Sequence, residues 1–196
     1  MRTLEVRRHS HTKKGDVRGT GSSLSPDGVR AARAVGATIG PFAFVVASIV
    51  PRTLETAIAM GFAPDACIDQ GGGPLWEASL EEVPFHAQWE ADEPFVMYAE
   101  AIARGGAMRE LADLQVAIWT DAVGHVADGE AALVVTHGGL VDSGLVRALP
   151  GADHASWGPP ISQLEGALLA FDGSGFSLVE WRRRDQAVPE ESADTK

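Results

Sequence analysis

Two histidines and two arginines stand at the ends of strand-like segments in this chain. Arg8 and His9 close the first of these segments, Arg52 follows the second, and His137 follows the third. A neutral imidazole is a good nucleophile near pH 7, and guanidinium groups bind phosphate oxygens in a bidentate manner. If the fold brings the four side chains together, they form a cationic pocket for a phosphorylated ligand, within a protein whose net charge is −11.

The order of the secondary-structure patterns predicts the fold that must position these residues. Continuous apolar runs at 44–49 and 132–136 are typical of strands buried on both faces, and residues 3–8 form a third strand-like segment. Helical patterns lie between these segments, whereas residues 64–90 show no regular pattern, and a turn at 172–175 joins two further strand-like segments. This alternation predicts a three-layer α/β/α sandwich with a mainly parallel central sheet and an antiparallel edge hairpin.

The predicted sheet gives the four residues a common location. Ligands of open parallel sheets bind beyond the carboxyl ends of the strands, where all four residues lie. Helices are predicted to begin after two of these strands, and the positive end of a helix dipole also favours an anion. One histidine or arginine at a strand end is usually a surface residue, so the prediction depends on the coincidence of the four.

The composition restricts the class of protein and its partners. The 196 residues are 45% hydrophobic and strongly acidic overall, which predicts one globular domain that does not bind nucleic acid. The single cysteine, Cys67, excludes an internal disulfide and a zinc site built on several thiolates. No apolar stretch approaches the length of a membrane span, so we expect a cytoplasmic protein without membrane contact. We expect the domain to cover 1–185 and the polar, acidic tail 186–196 to be disordered.

Four segments, in order along the chain, resemble the motifs of the histidine phosphatase superfamily, also called the phosphoglycerate-mutase-like fold. The string RRHSHT at 7–12 resembles the Arg-His-Gly signature, and LSPDG at 24–28 is similar to Leu-Thr-Pro-x-Gly. SIVPRTLETA at 48–57 is similar to Ser-Pro-Leu-x-Arg-x-x-Gln-Thr-Ala, and VVTHGGLV at 134–141 resembles Val-Ser-His-Gly-Gly. The resemblance implies an α/β fold of this family and a phosphatase activity.

The resemblance also implies a role for each matched residue. His9 would be the nucleophile that takes the phosphoryl group, and a protonated His137 would join Arg8 and Arg52 in holding its oxygens. Ser10 and Gly138 are assigned further phosphate contacts. No metal or other cofactor is implied, because two guanidinium groups and an imidazolium supply the positive field for a two-step hydrolysis through phosphohistidine.

The leaving group needs a proton, which a carboxylic acid of raised pKa can supply. The family's acid comes some twenty-odd residues after the second arginine, and Glu77 lies 25 residues beyond Arg52. Glu81 and Glu82 are close enough to compete for this role. The segment from about 78 to 128 is expected to form a helical lid insertion over the pocket.

Several positions depart from the family pattern and bear on the substrate. Ser10 replaces the signature glycine, and His11 stands where many members carry glutamate. His11 and Arg18 are therefore assigned to contacts with the remainder of the substrate. The expected partner is a small phosphorylated molecule, whose identity the residues leave open, as they do the oligomeric state.

Three other functions compete with the phosphatase. A phosphoglycerate-mutase-type phosphotransferase typically has a longer inserted segment and a tail that closes over the site, whereas this tail is acidic. The pair His9-x-His11 after a strand resembles a metal-ligand pair of amidohydrolases, which use a longer barrel chain. A non-catalytic pseudoenzyme that binds phosphorylated ligands is the third alternative, and the four intact core residues argue against it.

Overall fold

The computed structural model of the protein describes residues 1–13, 22–84 and 86–184, and within them it contains one six-stranded sheet. The strands are β1 (Arg2–Arg8), β2 (Phe44–Ser48), β3 (Ala66–Ile68), β4 (Ala131–Thr136), β5 (Gly166–Phe171) and β6 (Phe176–Arg182). Their order across the sheet is β3-β2-β4-β1-β5-β6. The first four are mutually parallel, and β5 and β6 form an antiparallel hairpin at the edge. The predicted mainly parallel sheet with an edge hairpin is confirmed.

Helices cover both faces of this sheet. They are α1 (Pro26–Gly36), α2 (Pro51–Ala59), α3 (Pro74–Glu82), α4 (Pro94–Arg104), α5 (Ala107–Gly124) and α6 (Gly138–Ala148), with 3-10 turns at Ala87–Trp89 and His154–Trp157. Helix α2 packs on β2 and β4 with α1 beside it, whereas α5 and α6 pack on the opposite face. The three-layer α/β/α sandwich is confirmed. None of the described helices has the length and apolar character needed to cross a membrane.

The alternation of side chains along β1 determines what faces the site. Leu4 and Val6 are fully buried in the core formed with α5 and α6, and Arg8 continues the same face. Glu5 lies on the opposite face, where its carboxylate accepts a hydrogen bond of 2.6 Å from Arg7 Nε. Because burial of a lone charge is costly, pairing accounts for two charged residues in a central strand.

The segment 64–90, in which no regular structure was expected, contains β3, α3 and a 3-10 turn. The run of glycines before Pro74 reads as a break in structure, but here it precedes a helix that begins at that proline. Gly73 has a φ of 84°, a conformation that L side chains rarely adopt. Within 78–128, α5 packs on the sheet, and α3 and α4 pack on α5; the proposed lid role of this segment stays a prediction.

Candidate active site

The four residues singled out from the sequence line one cavity of about 110 Å³ at the carboxyl ends of the strands. Arg8 pairs in register with Thr136 on the neighbouring strand, so the next residues, His9 and His137, lie side by side. Their ring centroids are 5.6 Å apart. Arg52 reaches the same cavity from the first turn of α2. We call these four residues (Arg8, His9, Arg52 and His137) the floor of the cavity.

The imidazole of His9 has a fixed tautomer. Its Nδ1 lies 2.7 Å from the carbonyl oxygen of Ser10, which can only accept, so Nδ1 carries the proton. Burial lowers the pKa of His9 to about 3, assisted by the charges of Arg8 and Arg52 and opposed by that hydrogen bond. The ring is therefore neutral near pH 7, and its Nε2 holds a free lone pair, as a nucleophile requires.

The second imidazole, His137, is also in surroundings that favour its neutral form, and the protonated ring expected with bound phosphate stays a prediction. Burial lowers its pKa well below the ordinary value, and Arg52 and His9 lower it further. Its Nε2 lies 3.4 Å from the hydroxyl of Ser48. An anion on the floor favours the charged imidazole, so ligand binding and protonation of His137 are expected to be coupled.

The two arginines are held by different parts of the chain. Arg8 donates a 2.8 Å hydrogen bond from Nη1 to the carbonyl of Ile161, and its guanidinium lies 5.5 Å from the centre of a Trp89 ring. Arg52 donates from Nη1 to the hydroxyl of Ser22 at 3.2 Å. Burial lowers the pKa of both groups, but a guanidinium in a protein keeps its proton. The floor therefore carries two fixed positive charges.

Gly138 has a steric role beside Arg8. A β-carbon at this position would lie 3.1 Å from three atoms of the Arg8 side chain. The guanidinium passes close to the start of α6, so a side chain at position 138 would crowd it, whereas glycine does not. Gly138 lines the cavity and opens a helix whose N-terminus favours anions; its phosphate contact stays a prediction.

Ser10 makes its hydrogen bonds away from the cavity. It is fully buried, its hydroxyl donates to the carbonyl of Gly28 at 2.8 Å, and its amide donates to Thr56 Oγ1 at 2.9 Å. Ser10 does not line the cavity, and its phosphate contact stays a prediction. Its contacts instead fix the backbone that follows His9.

Of the two residues assigned to the remainder of the substrate, only His11 belongs to the described part of the chain. His11 does not line the cavity, and His11 Nε2 lies 3.1 Å from Arg184 Nη1. Arg18 lies outside the described residues, as does the acidic tail 186–196. Their roles stay predictions.

None of the candidate acids lines the cavity either. Glu77 is exposed in the first turn of α3, and Glu81 is exposed near its end. The carboxylate of Glu82 accepts hydrogen bonds from the amides of Ala107 and Met108 at 2.6 and 3.1 Å, which caps the N-terminus of α5. Glu82 is therefore accounted for by helix capping, and Glu77 stays a prediction.

Two residues near the site were not found from the sequence. Tyr98 on α4 lines the cavity, with its hydroxyl 3.1 Å from where a β-carbon on Gly139 would lie. Asp142 is fully buried in α6, and its Oδ1 accepts the amide of Ile161 at 3.0 Å, the residue whose carbonyl holds Arg8. The only sequence signal for Asp142 is a carboxylate within an otherwise apolar helical segment.

The buried neutral histidines make stability depend on pH. Their pKa values are below the unfolded value of about 6.5, so between about pH 6.5 and pH 3 the unfolded chain binds more protons. The free energy of unfolding should therefore fall as the pH falls, by up to about 1.4 kcal/mol per pH unit for each imidazole. Asp142 opposes this trend, because burial raises its pKa to about 7 and the folded form holds its proton more tightly.

The contribution of His9 is isolated by comparing wild type with His9→Gln in urea unfolding at pH 7 and pH 5. The decrease in the free energy of unfolding from pH 7 to pH 5 should be smaller in the variant, since glutamine does not titrate. Equal losses in both proteins would contradict a depressed pKa for His9.

The profile of the histidine phosphatase superfamily (branch 1) matches residues 6–184. No curated protein sequence gives a significant match. None of the described residues forms a group of three or more histidine, cysteine or acidic side chains that could hold a metal ion.

Solved structures share the fold at low sequence identity. The phosphoserine phosphatase of Entamoeba histolytica, solved with 3-phosphoglyceric acid, has a TM-score of 0.61 and 17% identity, covering 94% of this chain and 98% of its own. The protein histidine phosphatase SixA, solved with tungstate, has a TM-score of 0.58 and 15% sequence identity, and the match covers 92% of this chain and 96% of SixA. A mycobacterial glucosyl-3-phosphoglycerate phosphatase has a TM-score of 0.58 and 19% identity, and the match covers 93% of this chain and 99% of that protein.

At these identities the structural likeness establishes a common fold and not a common substrate. The open sheet excludes the barrel that the amidohydrolase alternative requires. The family profile, by contrast, spans nearly the whole described chain and includes all four floor residues. The chain therefore belongs to branch 1 of the histidine phosphatase superfamily.

Proposed function

We propose that the protein hydrolyses a phosphomonoester without a metal ion, through a phosphohistidine formed on His9. The observation that carries the proposal is the neutral His9, with its Nδ1 proton held by the Ser10 carbonyl and its ring on a floor with two guanidinium groups. This arrangement combines an unprotonated nucleophile with a site that favours a phosphoryl group.

The reaction has two balanced steps. In the first, Nε2 of His9 attacks phosphorus, a P–N bond forms, and the bond from phosphorus to the leaving oxygen breaks. Arg8 and Arg52 neutralise the charge on the phosphoryl oxygens, and His137 can accept a proton as that charge arrives. In the second, water attacks phosphorus, inorganic phosphate leaves, and the imidazole is restored. Release of free phosphate separates this function from the mutase alternative, in which the phosphoryl group passes to a second acceptor.

An alkoxide leaving group must be protonated, and we assign this step to Glu77 on the sequence spacing alone. Its exposed position outside the cavity favours a second candidate function, hydrolysis of a phosphoramidate such as phosphohistidine. A nitrogen leaving group can depart already protonated, so it needs no acid in the cavity. The structural neighbour SixA is a protein histidine phosphatase, which agrees with this candidate.

The test is turnover of 4-nitrophenyl phosphate in excess chelator, with phosphoenzyme trapped by rapid quenching in base. We expect chelator-resistant release of nitrophenolate and inorganic phosphate in equal amounts, and a base-stable, acid-labile phosphoryl group on a His9 peptide by mass spectrometry. His125→Asn, which alters an exposed histidine outside the cavity, is the matched control and should behave as wild type. Turnover without labelling of His9, or phosphate transfer without release, would refute the proposal.

The same assay separates the two candidate functions. A protein that cleaves phosphohistidine but leaves alkyl phosphates untouched is a phosphoramidate hydrolase. Cleavage of alkyl phosphates that is lost in Glu77→Gln, and kept in Glu81→Gln, supports the phosphomonoesterase with Glu77 as the acid.

A further inference from the structure

Among the described residues that line the cavity, the arginines lie on its floor. The side chains that rise above it, from α3, α5 and the segment after α3, include an apolar set that we call the apolar wall: Trp76, Leu80, Val83, Pro84, Met108 and Leu111. Among the described residues that line the cavity, the polar remainder consists of serine, glutamine, tyrosine and histidine side chains, without a lysine, aspartate, glutamate or further arginine.

From this distribution we infer that the group attached to the phosphate is uncharged and largely apolar where it adjoins the phosphorus. The inference rests on the proposed function, since it assumes that the phosphoryl group occupies the floor. It assigns a substrate class, an aryl or alkyl phosphate without a second anionic group close to the phosphate.

The size of the cavity restricts where a second charge could go. Its volume of about 110 Å³ leaves room beside a phosphoryl group for only the next few atoms of the ligand. Once the floor is filled, the next few atoms of the ligand must lie against the apolar wall. A carboxylate there would lose water without gaining a partner, whereas an aromatic or aliphatic group would gain by leaving water.

Two polar residues of the upper cavity, Ser79 and Tyr98, supply no positive charge. The hydroxyl of Ser79 donates to the carbonyl of Trp76 at 2.7 Å, and burial keeps the phenol of Tyr98 protonated by raising its pKa. A phenol can donate one hydrogen bond to a neutral polar atom of the ligand, which is compatible with an uncharged group.

The inference is tested by binding, which does not depend on turnover. The probes are two isosteric phosphonates, 2-carbamoylethylphosphonate and 2-carboxyethylphosphonate, which differ by one negative charge. Their dissociation constants are measured by isothermal titration calorimetry at pH 8, where imidazoles of ordinary pKa are uncharged. We expect the carbamoyl compound to bind at least about tenfold more tightly, because the carboxylate is desolvated against the wall.

A charge added to the wall should reverse this preference. Leu80→Lys places an ammonium group on a half-buried position of α3 that lines the cavity, and should shift the ratio of dissociation constants by about tenfold toward the carboxylate. Leu114→Lys is the matched control, because Leu114 is 44% exposed on α5 and does not line the cavity. It should keep the wild-type ratio.

The outcomes separate the inference from the proposed function. Equal affinity for the two phosphonates, preference for the carboxylate in wild type, or failure of both to bind would overturn the inference, even in a protein that hydrolyses 4-nitrophenyl phosphate. An equal shift in the two lysine variants would show a general charge effect and would also overturn it. Selective binding of the carbamoyl compound by a protein without turnover would refute the proposed function and leave the inference standing.

Discussion

Replacement of His9 by alanine should lower kcat for 4-nitrophenyl phosphate by about 10⁴-fold or more. The variant removes the one neutral imidazole of the floor whose Nδ1 proton is fixed by a backbone carbonyl, leaving its Nε2 free. His137 does not replace it, because its Nε2 is within reach of the Ser48 hydroxyl and its ring lies on the neighbouring strand. The measurement is steady-state release of nitrophenolate, with rapid-quench labelling to show that phosphoenzyme no longer forms.

The control for this prediction separates loss of chemistry from loss of fold. Both guanidinium groups remain in His9→Ala, so the variant should keep an affinity for inorganic phosphate within about tenfold of wild type, measured by calorimetry. Normal binding with lost turnover is the expected pattern. Residual turnover within tenfold of wild type would show that another group is the nucleophile.

The second large effect is expected from Arg8→Lys, which should lower kcat/KM by about 10²–10³-fold. Arg8 uses one arm to donate to the Ile161 carbonyl, and its remaining donors are available to a ligand on the floor. An ammonium group keeps the charge but lacks the planar fork, so it does not hold the backbone and two phosphoryl oxygens at once. The comparison is with Arg30→Lys, an exposed arginine on α1, which should leave kcat/KM unchanged.

Arg8→Lys should destabilise the transition state more than it weakens the binding of phosphate. We expect kcat to decrease more than the affinity for inorganic phosphate, because charge on the equatorial oxygens is stabilised by donors in fixed positions. A lysine variant with wild-type kcat and only a raised KM would mean that Arg8 supplies binding alone.

The floor of the site could be predicted because its residues follow long, clear patterns. The apolar runs of β2 and β4 predict buried parallel strands, and the carboxyl ends of such strands converge. The family-like motifs that contain the floor residues lie at the same positions, at the ends of the predicted strands. These predictions need only local sequence patterns and the rule that ligands bind at the carboxyl ends of parallel strands, so one sequence is enough to make them.

Other parts of the site depend on packing that has no local signal. Burial favours the neutral form of His137, and packing engages both hydrogen-bond donors of Ser10. How deeply each residue is buried depends on helices that are distant in the sequence. The spacing that selects Glu77 predicts neither the helix α3 on which it lies nor the face of that helix that meets the cavity. Strand β3, three residues long, is too short to show a period.

The position of β1 in the sheet has a consequence for how the protein is made. The first strand of the chain lies between β4 and β5, with Thr3 opposite Ala131 and Arg7 opposite Gly166. During synthesis β1 therefore cannot pair with β4 and β5 until both of these later strands have left the ribosome. Such long-range pairing slows folding and prolongs the exposure of apolar strands. Arg8 also donates to the carbonyl of Ile161, so the ability to bind an anion should emerge only after the chain has been made as far as that residue.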